Sequence, residues 1–314
     1  MNKILVTGVN GFVGPHMVRE LKRADIFASG VGREAQPPKE LEGVLDEYIS
    51  CDLADVEATM SLPLEQFSAV ISLAGLANVA ESFREAELYE KVNVAILDNL
   101  ISAISQKSPT TRLVAVSTGG VYDSHQPMPL HEDSKLVDKN KTSPYVKSKL
   151  HMEEIAQRGV ETGVDCLIAR PFNHTGPGQK PSFLVPSLCS KIIDAVRTKE
   201  PVTVGNLATR RDFTDVRDVV HAYRLLATLP KDKLTSHTYN ICSGESKSGQ
   251  EIVDIITGII PGAKDVQLEV DQSLIRDTDP VELVGSSKLL QTDTGWAPEI
   301  PLDKTIQDLV SSLG

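Results

Sequence analysis

Cysteine, aromatic residues and long apolar runs are all scarce in this 314-residue chain, and each scarcity excludes a class of protein. The four cysteines lie far apart and form no Cys-x-x-Cys pair, so the pattern of a disulfide scaffold or a thiolate metal site is missing. No apolar run approaches the roughly 18 residues that a membrane helix requires, and no signal-type segment opens the chain. We therefore expect a cytoplasmic protein with reduced, buried thiols, no metal and no membrane contact.

The chain also has fewer positively charged than negatively charged residues. The chain has 32 Lys and Arg residues against 43 Asp and Glu residues, a formal net charge of -11 and a pI near 5.2. This balance disfavours nonspecific binding to nucleic acid or anionic lipid, because both are themselves negatively charged. We expect a small-molecule ligand, whose phosphate groups would have to be held by a local basic cluster.

Glycine is well supplied at the start of the chain, where an apolar run that resembles a buried strand ends in a glycine-rich turn. Gly8, Gly11 and Gly14 follow one another at three-residue spacing, and a helix pattern with Pro15 in its first turn comes next. Glycine permits positive φ and a close approach of backbone N–H groups to a pyrophosphate, and the helix N-terminus adds partial positive charge. This pattern predicts a phosphate-binding loop. The alternative is a tight strand-to-helix turn that binds nothing.

A second strand is predicted from 26 to 31, and it ends at Gly32 and Arg33. In a doubly wound nucleotide-binding fold this strand end faces the adenosine ribose, where a carboxylate selects NAD and a basic residue accommodates the extra phosphate of NADP. No carboxylate stands at this point, so the sequence favours NADP over NAD. In the alternative reading Arg33 is a solvated surface residue whose field is weakened by Glu34.

Further strands are predicted at 48–51, 69–73, 112–116 and 165–170, which gives a parallel sheet with its ligand edge at the strand ends. The residues at these ends are Asp52, Leu53, Leu73, Ala74, Gly75, Ser117 and Thr118. A long helix from 87 to 106 is apolar on two faces, so it needs a second packing partner. That partner is either a second subunit or a lobe of the same chain.

The strongest chemical signal is a helix predicted from 144 to about 162. It places Tyr145 and Lys149 at i and i+4, one above the other on the same face. We expect the ammonium group to lower the pKa of the phenol and so prepare it for proton transfer, with the hydroxyl of Thr118 hydrogen-bonded to a substrate oxygen. The alternative is a helix start with a partly exposed tyrosine and a solvated lysine.

A stretch rich in Pro and Gly from 171 to 179 marks the predicted domain boundary. It divides the chain into residues 1–170 and 171–314, with the region 215–245 packing back on the first domain. In the second part we predict helices at 183–197 and 250–260, strands at 202–204, 239–242 and 267–270, and a terminal helix from about 302. Arg210 and Arg211 are predicted either to bind a diphosphate or to form salt bridges with nearby aspartates.

In this order the motifs resemble the extended short-chain dehydrogenase/reductase superfamily. The similarity rests on the glycine loop, Ser117-Thr118, Tyr145-x-x-x-Lys149 and the Arg-Pro-Phe-Asn run at 170–173. It implies an α/β fold with a Rossmann-type doubly wound parallel sheet and a smaller, mixed α/β C-terminal substrate lobe. It also implies hydride transfer at a sugar carbon, with Tyr145 as acid/base, Lys149 on the nicotinamide ribose, Thr118 orienting the substrate oxygen and Asn93 supporting the lysine.

The resemblance also implies two sets of binding residues. The cofactor set is Gly8, Gly11, Phe12, Val13, Gly14, Gly32, Arg33, Asp52, Leu53, Leu73, Ala74, Gly75, Asn93, Tyr145, Lys149 and Pro171. The substrate set is Thr118, Asn173, Val204, Arg211 and Arg276. Within the superfamily the chain is most similar to the enzymes of GDP-linked 4-keto-6-deoxy sugars. It departs from their dehydratases at Gly120, where those carry a catalytic carboxylate, and it lacks the usual Pro-x-Glu after Arg276.

These resemblances predict an NADP(H)-dependent reductase of a 4-keto-6-deoxy nucleotide sugar, with NAD(H) as a possible cofactor. The predicted reaction converts GDP-4-keto-6-deoxy-D-mannose to GDP-rhamnose in a homodimer formed through the helices at 87–106 and 145–162. One alternative is a nucleotide-sugar 4-epimerase that retains NAD, since it needs the same Thr, Tyr and Lys. An alternative of another class is a catalytically silent protein that senses NADP.

Overall fold

The computed structural model describes residues 2–275 and 280–313. Its strands are β1 (Lys3–Thr7), β2 (Phe27–Gly32), β3 (Glu47–Ser50), β4 (Ala69–Ser72), β5 (Arg112–Val116), β6 (Cys166–Pro171), β7 (Asn173–Thr175), β8 (Val202–Val204), β9 (Arg210–Asp215), β10 (Thr238–Ile241), β11 (Ser246–Ser248), β12 (Leu268–Val270) and β13 (Glu282–Leu283). Its α-helices are α1 (Val13–Arg23), α2 (Val56–Ser61), α3 (Val79–Ser82), α4 (Ala86–Lys107), α5 (Pro144–Glu161), α6 (Leu184–Thr198), α7 (Val216–Thr228), α8 (Gly249–Ile259), α9 (Lys288–Thr294) and α10 (Leu302–Leu313).

Seven parallel strands form the main sheet in the order β10-β6-β5-β4-β1-β2-β3. The strand order reverses between β1 and β4, because β1 is followed by β2 on one side while β4 and β5 lie on the other. Such a reversal opens a crevice at the carboxyl ends of the two central strands, where open α/β sheets bind their ligands. The predicted doubly wound fold class is confirmed.

The sheet is buried on both faces because its central strands are apolar at successive positions. Ile4, Leu5 and Val6 of β1 are all fully buried. One face packs against α1 and α7, and the other packs against α2, α4 and α5. A strand covered on both sides needs this continuous apolar run, which distinguishes it from the alternating pattern of a half-exposed strand.

Helix α4 has its second packing partner within the same chain. Leu97, Leu100 and Ile104 are fully buried, and α5 lies against α4, with Ile101 in contact range of the position where a Cβ on Gly159 would stand. This intramolecular contact accounts for much of the second apolar face. Leu88, in the first part of α4, remains 45% exposed.

The C-terminal lobe has its own apolar core, formed by α6, α8, α10, β8 and β9. Strand β9 pairs with β7, β11 and β13, and β8 pairs with β12. Between these parts the chain returns to the main sheet, where α7 packs on α1 and β10 pairs with β6. The indole of Trp296 donates a hydrogen bond to the Asp218 carbonyl (2.9 Å) and ties the segment before α10 to α7.

The predicted bounds of the strands from β2 to β6 agree with the structure to within one or two residues. No regular element was predicted for 205–218, yet β9 occupies Arg210–Asp215 and α7 begins at Val216, with Asp215 as its N-cap. Strand β9 was missed because its sequence is mostly charged and polar, while its strand pairing on two sides comes from distant segments. All four cysteines are unpaired and buried, as predicted for Cys51, Cys166 and Cys242. Among the described residues, no helix is long and apolar enough to cross a membrane.

Candidate functional site

The predicted site residues follow strands that end at one edge of the main sheet. Gly8 follows β1, Arg33 follows β2, Gly75 follows β4 and Thr118 follows β5. Because all these strands are parallel, their carboxyl ends meet at the same edge. The fold therefore brings residues that are far apart in the sequence to a single crevice.

The glycine loop is in close contact with the neighbouring strand end. Gly8 has φ +68°, and a Cβ at this position would stand 2.8 Å from the backbone of Ala74, whose N–H donates to the Thr7 hydroxyl (3.1 Å). Helix α1, which follows the loop, has no side-chain N-cap and no acidic residue in its first turn. Its first N–H groups and partial positive charge are therefore directed to the crevice without competition from a carboxylate.

At the end of β2, Gly32 is buried and Arg33 is exposed. A Cβ on Gly32 would come within 2.3 Å of the Asn10 side-chain oxygen and 2.7 Å of the Tyr48 hydroxyl. The Tyr48 hydroxyl donates to the Glu34 carbonyl (2.7 Å), which fixes the turn that carries Arg33. A side chain at Gly32 would therefore require the side chains of Asn10 and Tyr48 to move.

The catalytic candidates lie at the start of α5. Ser143 caps this helix by accepting a hydrogen bond from the Val146 N–H (3.3 Å), and Pro144 occupies its first turn. Lys149 is 7% exposed, and its Nζ donates to the Val116 carbonyl (2.8 Å) and lies 6.0 Å from the centre of the Tyr145 ring. The structure therefore brings Tyr145 and Lys149 together against the carboxyl end of β5.

The net shift of the Tyr145 pKa is upward, opposite to the lowering expected from the neighbouring Lys149. Burial raises the pKa of the phenol to about 12, and a hydrogen bond with Thr118 offsets only part of that increase. Burial likewise lowers the pKa of Lys149 to about 8, against an opposing attraction from Glu153. Desolvation is the largest cause of both shifts, because burial removes both groups from water.

Asn93 of α4 is fully buried and joins three parts of the site. Its amide oxygen accepts from the Leu76 N–H (2.8 Å), and its nitrogen donates to the Leu76 carbonyl (3.1 Å) and to the Ser148 hydroxyl (2.9 Å). These bonds connect the loop after β4 with α5, one residue before Lys149. Asn93 thus contacts α5 beside Lys149, through the Ser148 hydroxyl.

A buried polar network beneath Lys149 was not found from the sequence. Arg170 binds both oxygens of Glu153, through Nε at 2.9 Å and Nη2 at 2.7 Å, and its Nη1 donates to the Tyr122 hydroxyl (2.7 Å). The Ser117 hydroxyl also donates to Glu153. Two signals were available: Arg170 is a charged residue within an apolar strand, and Glu153 lies one turn after Lys149 on the same helix face.

The remaining cofactor candidates differ in exposure. Asp52 is exposed, and its carboxylate accepts from the Ala54 N–H (3.0 Å), whereas Leu53 is 3% exposed and its carbonyl accepts from Asn99 (2.9 Å). The partly buried candidates at this edge are Val13, Leu73 and Ala74, and Gly11 and Gly75 are exposed. Pro171 is buried at the end of β6.

The substrate candidates belong to the C-terminal lobe and to its junction with the sheet. Asn173 is exposed at the start of β7, while Val204 is 3% exposed and contributes to the core of the lobe. Arg211 is half-buried, and its guanidinium donates to the Pro280 carbonyl (2.8 Å). Arg276 lies outside the described residues. Arg210 forms an ion pair with Glu251 (2.6 Å), a partner other than the aspartates considered from the sequence.

Aromatic contacts join the glycine loop to the second lobe. The ring of Phe12 is stacked on His174 with centroids 6.1 Å apart and meets His16 edge-on at 5.7 Å. His16 is also hydrogen-bonded to the Pro177 carbonyl (2.9 Å). Burial lowers the pKa of both histidines. This contact places the residues after β6 next to the start of α1.

The chemistry of this edge fits a nicotinamide dinucleotide. Gly14 stands so close to the Val9 carbonyl that a Cβ would lie 2.4 Å from its oxygen, which keeps the turn tight. Together with the uncapped α1 and Gly8, this leaves a backbone-lined cradle suited to a pyrophosphate. Among the described residues, no group of three or more His, Cys, Asp or Glu side chains is arranged to hold a metal ion.

Comparisons with known proteins agree with this arrangement. GDP-6-deoxy-D-mannose reductase of Pseudomonas aeruginosa is 32% identical, over 98% of this chain and 96% of the relative. UDP-glucose 4-epimerase of Mus musculus is 28% identical, over 98% and 96%. The solved structure of RMD from Pseudomonas aeruginosa complexed with NADPH has a TM-score of 0.83 at 28% identity, covering 99% of this chain and 98% of that one.

The family model that matches the chain is described as the NAD dependent epimerase/dehydratase family, and the match spans residues 4–242. It includes the whole glycine loop, the end of β5 and the start of α5. The predicted superfamily and the predicted nicotinamide cofactor are therefore confirmed. The chain belongs to the NAD dependent epimerase/dehydratase family.

Proposed function

We propose that this protein is an NADPH-dependent reductase of a 4-keto-6-deoxy nucleotide sugar, most specifically of GDP-4-keto-6-deoxy-D-mannose. The observation that carries the proposal is Gly120. This residue lies two positions after Thr118, just beyond β5, and has no side chain. A dehydratase needs an acid or base over the carbons beside the transient ketone. Hydride exchange at C4 needs no acid or base at those neighbouring carbons. The residues present therefore match a reductase better than a dehydratase.

The two carboxylates that the sequence offers as substitutes for one at Gly120, Asp123 and Glu81, belong to other segments. Asp123, three residues later, accepts hydrogen bonds from the His125 N–H (3.0 Å) and ring (3.0 Å) and pairs with Lys135 (3.4 Å). Glu81 lies on the short helix α3 and is exposed. Asp123 is thus bound within its own loop, and Glu81 is exposed on a different element.

In the proposed mechanism the cofactor, when bound, supplies a hydride to the carbonyl carbon. Thr118 and Tyr145 then act on the carbonyl oxygen, Thr118 as a hydrogen-bond partner and Tyr145 as the proton donor. A phenol with a pKa of about 12 is protonated at neutral pH, which is the form that reduction requires. Lys149, in its cationic form, stabilises the phenolate that remains after the proton has moved.

The preference for NADPH rests on the end of β2. Arg33 is exposed where a 2′-phosphate would lie, and Gly32 carries no carboxylate to repel it. The relative solved with NADPH supports the same choice. The 32% identity to a GDP-6-deoxy-D-mannose reductase supports a GDP-linked substrate. Asn173 and Arg211 are the described residues that we propose for contact with that substrate.

Two parallel incubations test the proposal. GDP-4-keto-6-deoxy-D-mannose mixed with the protein and NADPH should be consumed, with loss of cofactor absorbance at 340 nm in equal amount. GDP-mannose mixed with the protein and NADP⁺ should give no 4-keto-6-deoxy product. Formation of that ketone from GDP-mannose would show that the protein dehydrates its substrate and would overturn the interpretation of Gly120.

A 4-epimerase is the second candidate, because UDP-glucose 4-epimerases of several mammals are 28% identical to this chain over 98% of its length. An epimerase oxidises and then reduces the same carbon, so it holds its cofactor through the full cycle. Cofactor that co-purifies with the protein, together with conversion of UDP-glucose to UDP-galactose, would support this function. Net oxidation of added NADPH by the ketone substrate would exclude the epimerase function.

We also propose a homodimer that uses α4 and α5. Phe83 and Leu88 support it, because these large apolar side chains are 58% and 45% exposed near the start of α4. Light scattering of the native protein should give twice the mass of the chain, and Leu88→Glu should reduce it. A monomeric native protein would contradict the dimer without affecting the proposed reaction.

A further inference from the structure

We propose that Glu153 is a positioning residue for the reaction: its carboxylate, clamped by Arg170, preserves the positive charge of Lys149 and fixes the end of β5 against α5. This inference rests on the proposed function for its kinetic consequence. Its structural part concerns Lys149 alone and can be tested without any substrate.

The first support is the register between β5 and α5. Lys149 donates to the carbonyl of Val116, and the next residue of the chain, Ser117, donates to Glu153 one helical turn further on. Thr118 follows, and its hydroxyl lowers the pKa of Tyr145 on the same helix. Two successive residues at the strand end, Val116 and Ser117, are thus hydrogen-bonded to two residues one turn apart on one helix face. Glu153 is the helix residue that interacts both with Ser117 at the end of β5 and with Lys149.

The second support is the burial of the charges. Lys149 is 7% exposed, Glu153 is 8% exposed and Arg170 is 6% exposed. Removing an ammonium group from water favours its neutral form, and an opposite charge one helical turn away counteracts that effect. Glu153 is the group whose attraction raises the pKa of Lys149 against burial.

The third support is the way in which Glu153 is held. The two bonds from Arg170 leave its carboxylate little freedom, and Arg170 is itself tied to the Tyr122 hydroxyl and the Glu132 carbonyl (3.1 Å). A fork of this kind fixes the direction of a carboxylate as well as its charge. The position of the carboxylate relative to Lys149 is therefore determined by β6.

Other titratable groups around the pair act mainly through Tyr145. On α5 itself the neighbours of Lys149 are Tyr145 and Glu153. Tyr89 of α4 raises the pKa of Tyr145, and Tyr223 of α7 is coupled electrostatically to the same phenol. Arg170 of β6 is paired with Glu153 (2.7 Å). Among the described residues, Glu153 is thus the negative charge that acts on Lys149.

The experiment follows the titration of Lys149 directly. Protein labelled with carbon-13 at the lysine Cε is titrated by NMR, and the Lys149 signal is assigned by its absence from Lys149→Met. In native protein we expect a midpoint of about 8. In Glu153→Gln the midpoint should fall by about one pH unit or more, because an attractive charge has been removed from a buried site. Glu153→Asp, which keeps the charge, should restore most of the shift.

A matched control comes from the other end of the same strands. The buried Arg112 and the partly buried Asp165 form an ion pair (2.9 Å) at the start of β5 and just before β6. Asp165→Asn should lower stability in a similar way but leave the Lys149 midpoint unchanged. If Glu153→Gln does not fold, Glu153→Gln/Arg170→Met avoids an unpaired buried arginine, and Arg170→Met alone is its reference. The difference between the Lys149 midpoints of these two variants then gives the effect of the Glu153 charge.

Activity with the ketone substrate then tests the kinetic part. The alkaline fall in kcat should move to lower pH in Glu153→Gln by the same amount as the NMR midpoint, while KM for NADPH changes little. An unchanged Lys149 midpoint in both Glu153 variants would overturn the proposal. A shifted midpoint in a protein that is inactive on the ketone would support the role of Glu153 and count against the proposed reaction instead.

Discussion

The glycine loop and the catalytic cluster lie at the same sheet edge but are built in opposite ways. The loop is made of backbone: Gly8 contacts the main chain of Ala74, and α1 offers uncapped N–H groups. The cluster is made of side chains, and burial moves the pKa values of Tyr145 and Lys149 in opposite directions, to about 12 and about 8. The loop therefore depends on shape, while the cluster depends on charge in a desolvated environment.

The strongest test of this contrast is Tyr145→Phe. The substitution removes one hydroxyl and little volume, so folding and NADPH affinity should stay near native while kcat falls by about 10²- to 10⁴-fold. Stopped-flow reduction of the ketone and fluorescence titration of NADPH measure the two effects. Tyr239→Phe is a suitable control, because it also deletes a single hydroxyl from a buried tyrosine. That hydroxyl donates to Asp293 (2.7 Å), and Tyr239 is not among the predicted site residues. Retention of most activity by Tyr145→Phe would rule out the mechanism.

The loop should respond differently. Gly8→Ala introduces a Cβ at φ +68° and 2.8 Å from the backbone of Ala74, so the cradle must widen and NADPH affinity should fall about a hundredfold. Gly43→Ala provides the matched control, since Gly43 has φ +72° with no atom within 4 Å of a Cβ. Calorimetry should show that Gly43→Ala loses about 1–2 kcal/mol of stability without loss of affinity. Equal affinities in the two variants would contradict the role of shape in the loop.

Arg33 is the charged residue that we propose for contact with the 2′-phosphate of NADPH. Arg33→Ala should weaken NADPH binding about ten- to hundredfold and leave NADH binding nearly unchanged, because a charge-assisted bond to a phosphate contributes about 1.5–3 kcal/mol. The ratio of the two dissociation constants is the measurement. Arg23→Ala, which removes another exposed arginine at the far end of α1, should not change that ratio. NADH bound as tightly as NADPH by the native protein would show that Arg33 does not select the cofactor.

The smallest effect concerns pH. The pKa of Lys149 is lowered to about 8, so the cation is present below that pH and lost above it. Because the proposed proton transfer uses the cation, kcat should be about halved at pH 8 and fall about tenfold for each further pH unit. Lys149→Arg keeps its charge over this range. Any residual activity of that variant should therefore lack the fall near pH 8, and a native rate independent of pH up to 9 would exclude this role.

The sequence predicts the loop better than the cluster for a physical reason. Gly8, Gly11 and Gly14 reveal a backbone requirement, and their spacing can be read within one local segment. The spacing of Tyr145 and Lys149 predicts their proximity equally well, since both lie on one helix. Their pKa values depend on burial by strands and helices from elsewhere in the chain. The sign of the Tyr145 shift was therefore not available from i and i+4 spacing.

The same distinction explains what was missed in the second lobe. Strand β9 is mostly charged and polar, and it becomes a strand because β7, β11 and β13 pair with it from distant parts of the sequence. Arg210 was grouped with Arg211 as a diphosphate candidate, yet successive residues of a strand point to opposite faces. Arg210 pairs with Glu251, while Arg211 binds the Pro280 carbonyl. Alternation could have separated the two arginines only if the strand itself had been recognised.

The pairing of β10 with β6 has a consequence for how the protein is made. Strand β6 is apolar and buried, and one of its edges is covered only by residues 238–241. While the ribosome is still producing the segments before β10, that edge is open and can pair with another chain. The main sheet is therefore complete only after most of the polypeptide has been translated. A chain that ends before Thr238 should aggregate and should not form a smaller nucleotide-binding domain.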